Sequence, residues 1–188
     1  MWYIARMDWQ TVVRETHQKG LDARAQQPFE GGGIPFRLRP YINPEKHGPD
    51  LELKDGISNS TRENLLRTAA LFRQLKIPVA LIQSDARRAN ISDILALFGL
   101  PADLGVEEMQ REYLCILNER FGGTMENLPP EVWKDTIITA IKGPNVMPFS
   151  VWTCYHGGEQ GEVVWEETTE IFGGEWGLLP DWWDAPVN

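Results

Sequence analysis

The chain has 188 residues, 42% of them apolar and 24% charged, and a net charge of −9. A chain of this length buries about 70% of its unfolded surface without help from a metal or a disulfide, and the composition is that of an ordinary globular protein. The acidity, concentrated in the C-terminal half, argues against phosphate backbones as partners of that half, and the longest clean apolar run, Ile77 to Ile82, falls far short of the roughly 20 residues of a membrane helix.

Charge is divided along the chain. Residues 1–100 carry 14 Lys+Arg against 11 Asp+Glu, whereas residues 101–188 carry 4 against 16. No Lys or Arg follows Lys142, while Glu159, Glu162, Glu166, Glu167, Glu170, Glu175, Asp181 and Asp184 do. Five of the eight tryptophans, Trp152, Trp165, Trp176, Trp182 and Trp183, share that stretch. Cys115 and Cys154 fit neither a Cys-x-x-Cys nor a zinc spacing. Met1 to Asp8 has no basic stretch leading into an apolar one, so no secretory signal is expected there. Free thiols without such a signal point to the cytoplasm.

In chain order, Trp2 to Met7 reads as a strand. Asp8 suits the N-cap of a helix to Lys19 with Trp9, Val12, Val13 and Thr16 inward and Gly20 as its stop. Leu21 to Ser58 is poor in regular patterns. Gly31-Gly32-Gly33 and five prolines predict a long loop region over 26–57, with Pro35 to Ile42 as a short edge strand. Ser60 to Glu63 fits a capping box ahead of a helix burying Leu65, Leu66, Ala69, Ala70, Phe72 and Leu75. Ile77 to Gln83 reads as a buried strand. Helices are then expected over Asn90–Phe98, over Val106–Phe121, and from Pro129-Pro130 to Gly143. Phe149–His156 and Glu162–Phe172 predict a β-hairpin, with Val163, Trp165, Thr169 and Ile171 on one face and Glu162, Glu166 and Glu170 on the other. The tail, 173–188, is acidic and rich in tryptophan. The expected architecture is α+β in one domain spanning 1–188: an N-terminal strand–helix unit, a central helical block and a C-terminal antiparallel hairpin. An α/β layered sheet with Ile77 to Gln83 as a central parallel strand is the alternative.

Chemistry-bearing constellations are sparse. Cys154 and His156 lie two apart on a strand, about 6.6 Å along the chain, too far for a nucleophile and its base. His17, His47 and His156 stand on separate elements without a metal-binding spacing. The glycine run lacks the Gly-Lys-Ser/Thr ending of a phosphate loop. No metal or cofactor is therefore expected. Two readings remain. In the first, a cytoplasmic binding module (an inhibitor, immunity-type or adaptor protein) presents Glu162, Glu166, Glu170, Trp176, Asp181, Trp182, Trp183 and Asp184 to a basic protein, with aromatic anchors in an acidic field. In the second, a small-molecule enzyme or sensor uses an anion site of Arg37, Arg39, Asp85, Arg87 and Arg88 beyond the end of a buried strand.

Overall fold

The structure, a computed structural model, describes residues 8–53, 71–72, 74–101, 103–143 and 146–173. Among them are three helices, α1 (Trp9–Ala25), α2 (Ile91–Leu97) and α3 (Val106–Phe121). Seven strands accompany them: β1 (Phe36–Asn43), β2 (Lys46–His47), β3 (Leu51–Leu53), β4 (Val79–Ala89), β5 (Trp133–Gly143), β6 (Val146–Gly157) and β7 (Val163–Phe172). The strands form one antiparallel sheet in the order β2-β1-β4-β5-β6-β7, with β3 also paired to β1. The class is α+β, and the parallel α/β alternative does not apply. No helix among the described residues is long and apolar enough to cross a membrane.

Helix α1 begins as its sequence predicts, with the Thr11 amide donating to Asp8 Oδ1 at 2.7 Å. It does not stop at Gly20. That glycine keeps an ordinary negative φ, and its missing side chain makes room for Gln83, whose Cδ would lie 2.9 Å from a Cβ there. The glycine is a close-approach point between helix and sheet rather than a terminator. Residues 26–53 are likewise not one loop, since β1, β2 and β3 lie within them. Nor is β1 an edge strand: it pairs with β4 on one side and with β2 and β3 on the other. Pro40 is accommodated inside β1, where its carbonyl accepts from the Gly48 amide at 2.9 Å.

The largest departure from the sequence reading is β5. The run Trp133 to Gly143 shows apolar positions that also fit a helix, but only Pro130–Val132 makes a helical turn, of the 3-10 kind. The next eleven residues are a strand buried on both faces from Thr136 to Ile141. Four of those six, Thr136, Ile137, Ile138 and Thr139, are consecutive β-branched residues, which suit a doubly covered strand. The expected buried strand Ile77 to Gln83 exists but begins at Val79, after Pro78, and runs on to Ala89.

Two compact units emerge, one from residues 1–86 with 136–188 and one from 87–135. In the first, α1 lies on one face of the sheet, where Val12 and Val13 pack with Tyr41, Val79, Leu81, Ile141, Phe149 and Val151. In the second, α2 and α3 bury Ile94, Leu95, Ile116 and Leu117 with Leu128 and Val132. Here α3 keeps its expected bounds, Val106–Phe121; it turns Met109, Tyr113 and Phe121 to this core and ends at Gly122 with φ +66°. The expected strand Trp2–Met7, most of the capping-box helix 60–75 and nearly all of the tail 173–188 lie outside the described residues.

Candidate functional site

The candidate surface is built from the β6–β7 hairpin, where the sequence concentrates acid. Val146 to Gly173 contains five glutamates and neither Lys nor Arg. Ladder pairing runs from Phe149↔Phe172 to Thr153↔Thr168 and resumes at Tyr155↔Trp165, so β7 carries one extra residue opposite Cys154. This bulge reverses which side chains face α1. Val163 and Trp165 pack with Ile34, Ile137 and Tyr155 on the α1 side. Beyond the bulge, the α1 side holds Thr168, bonded to Thr153 at 2.7 Å, and Glu170, bonded to Arg14 of α1 at 2.6 and 2.8 Å.

The glutamates are therefore not one solvent row. Glu170 is held ionised, below the usual carboxylate range, by the Arg14 guanidinium. Glu162 folds back over the hairpin loop and accepts from the Gln160 amide at 2.9 Å. Glu166 comes within 3.9 Å of His156 Nδ1. Glu167, which the period-2 reading passed over, is exposed at the bulge together with Thr168, Thr169 and Glu170. The signal for it was the doublet Glu166-Glu167 in an otherwise alternating strand. Trp176, Asp181, Trp182, Trp183 and Asp184 lie outside the described residues.

The apolar part of this surface is at the end of β7. Asp8, Trp9, Gln10, Val146, Met147, Phe149 and Phe172 line a cleft of about 240 Å³. Met147 is 71% exposed and Phe172 54%, while the Arg14 guanidinium stands over the ring of Phe149, 5.3 Å from its centroid.

No known protein family, curated protein or solved structure matches this chain.

Of the anion-site residues, Arg37 bonds Glu52 at 3.0 Å and Arg39 bonds Asp50 at 2.8 Å. Asp85, Arg87 and Arg88 lie inside β4, not in a loop beyond its end. Arg87, in the second unit, is 3.9 Å from Asp135 and stands over the Trp133 ring. Asp85, in the first, belongs to a polar seam between α1 and the sheet that the sequence reading missed. Tyr155 donates to Asp85 Oδ1 at 2.6 Å and accepts from Arg24 Nε at 3.1 Å. Burial, together with the bond to Asp85, holds its hydroxyl protonated far above the ordinary tyrosine range. Arg24 is 1% exposed and donates through Nη1 and Nη2 to the carbonyls of Gln27, Pro28 and Phe29. The glycine run closes over it, and a side chain at Gly32 would run into the Pro28 carbonyl oxygen and meet Arg24 Nη1 at 2.8 Å. That close approach of backbone, rather than flexibility, accounts for Gly32.

His17, 3% exposed, continues the seam. Gln83 donates both amide protons, to the Thr16 carbonyl at 2.7 Å and to Thr139 Oγ1 at 3.2 Å. The Thr139 hydroxyl proton is then available to His17 Nδ1 at 3.1 Å, which places the ring proton on Nε2, toward Thr153 Oγ1 at 2.8 Å. Burial lowers the His17 pKa from 6.5 to about 4, so the ring is neutral at pH 7. Of the other histidines, His47 bonds the Gly48 carbonyl and His156 lies on β6, exposed. Cys154 meets Thr136 at 3.4 Å. Both cysteines are free thiols. Among the described residues no three His, Cys, Asp or Glu side chains converge as a metal site.

Proposed function

We propose that the protein is a cytoplasmic binding module whose acidic β6–β7 surface engages a basic protein partner. The observation that carries this reading is the pairing of an exposed acidic strand segment, Glu167 to Glu170, with an apolar cleft at the end of the same strand. Interfaces draw their affinity from a few aromatic or apolar anchors and their rate and selectivity from surrounding charge. Phe172, Met147 and Trp9 supply the first. Glu166 and Glu167 supply the second, since Arg14 already neutralises Glu170. The two free thiols support a reducing setting. The tail residues Trp176, Asp181, Trp182, Trp183 and Asp184 would extend the surface.

The test is affinity capture from the source cells with wild type and with a Glu166→Lys, Glu167→Lys variant, followed by kinetics on the purified pair. A basic protein should bind the wild type, associate more slowly as salt screens the charges over about 8 Å, and bind the variant weakly. Salt-independent binding that tolerates the double reversal would refute the assignment.

A further inference from the structure

The binding reading leaves open how a partner would engage so narrow a surface, and the sheet topology bears on that. Among the described residues β7 is the last strand of the sheet, hydrogen-bonded to β6 on one side. Its segment Glu167 to Glu170 is exposed. Beyond the bulge, Thr168 to Phe172 pairs with β6 in regular register, so alternate residues turn their backbone N–H and C=O outward. Such an edge is a template for another strand.

The edge also selects what can pair with it. The acidic charge along this edge is carried by Glu167 at the bulge and by Glu170, which already shares Arg14; a second copy of β7 would add like charge to it, which is unfavourable on a sheet face. An extended segment with Lys or Arg at alternate positions has the opposite sign and can offer a cation to both glutamates. The strand ends at Phe172, on the α1 side with Glu170, and Phe172 lines the apolar cleft. The pattern that fits therefore has an aromatic side chain two positions from a cation on one face.

We propose that the outer edge of β7 accepts an extended basic segment as an added antiparallel strand, with an aromatic residue near its N-terminus in the cleft beside Phe172. This rests on the acidic-surface reading and adds its mode of engagement. Antiparallel addition places the start of the segment at the end of β7, and antiparallel pairing is slightly the more stable.

The probe is the heptapeptide Phe-Thr-Lys-Val-Lys-Thr-Lys, titrated into the full chain at about 50 mM salt, where surface charges are weakly screened. Two isomers are titrated beside it, one N-methylated at the odd backbone nitrogens after the first and one at the even ones. Only one set of N–H groups can face β7. One isomer should therefore bind roughly tenfold more weakly or worse, and the other close to the parent. The parent should protect β7 amides between Thr168 and Phe172 from hydrogen exchange, and Arg14→Ala, which releases Glu170, should tighten binding. Equal binding by both isomers, protection elsewhere, or no binding by the parent would overturn strand addition. If both isomers bind equally while Glu167→Lys still weakens them, the acidic-surface reading stands and strand addition alone falls. That broader reading fails separately, on the salt and charge-reversal kinetics of the captured partner.

Discussion

Acidification should destabilise the protein through His17, in a window set by its burial. In the unfolded chain the imidazole titrates at its ordinary value of 6.5, whereas in the folded protein it does so at about 4. Above pH 6.5 it is neutral in both states and imposes no penalty. Between 6.5 and 4 the unfolded state takes up a proton that the folded state refuses, so stability falls as pH falls. Below 4 both states are protonated and the loss levels off. Each pH unit is worth about 1.4 kcal/mol, which gives roughly 2 kcal/mol lost by pH 5 and about 3 kcal/mol at the plateau. The ring is almost wholly shielded, with hydroxyls on both nitrogens, so solvent screening removes little of this. The assay is urea unfolding of wild type and His17→Gln between about pH 7.5 and pH 5. Glutamine keeps a donor and an acceptor but does not titrate. The variant starts lower at pH 7.5, by about 1–3 kcal/mol for disturbed buried hydrogen bonds, and loses less on acidification. Parallel loss in the two proteins, or a His17 ring titrating near 6.5 by NMR, would refute the reasoning.

Three further outcomes are expected. Arg24→Met leaves Asp85 without its buried cation and should cost about 3–5 kcal/mol, and it should open residues 27–34 to limited proteolysis because their carbonyls lose their donor. Gly20→Ala gains about 1 kcal/mol of helix propensity but displaces Gln83 from Thr16 and Thr139; net destabilisation of about 1–2 kcal/mol in urea melts is expected. Glu167→Lys should change stability by no more than about 0.5 kcal/mol, so any slower association with a basic partner can be assigned to charge.

The elements most legible in the sequence were those fixed by local chemistry. Asp8 announces α1 because a carboxylate at an N-cap has amides to accept from, and α3 keeps the bounds its sequence predicts, Val106–Phe121. Illegible elements depended on distant partners. Gly20 looks like a terminator until Gln83, 63 positions on in the chain, is found in its place. The stretch around Pro40 looks like an edge strand because neither neighbour that makes it an inner one, β4 on one side or β2 and β3 on the other, can be read locally. Trp133 to Gly143 matches a helical period by coincidence, and its β-branched run was the better guide. At the candidate surface, the acid and the hairpin were visible, but the bulge was not. Consequently Glu170, expected in water, instead meets Arg14, and Glu167 was missed.

The polar seam has a kinetic consequence. Arg24 and Tyr155 are 131 residues apart, His17 and Thr153 are 136 apart, and Gln83 reaches back 67 residues to Thr16. Helix α1 can form early from its own cap, yet none of these groups can exchange water for its final partner until β4, β5 and β6 are aligned. Closing contacts of such separation is slow. Until they close, docking α1 would strand Arg24 and His17 without their partners, a cost that opposes the gain from burying Val12 and Val13. The docking of α1 should therefore be a late step in folding, and a seam variant such as His17→Gln should chiefly speed unfolding while leaving the folding rate nearly unchanged.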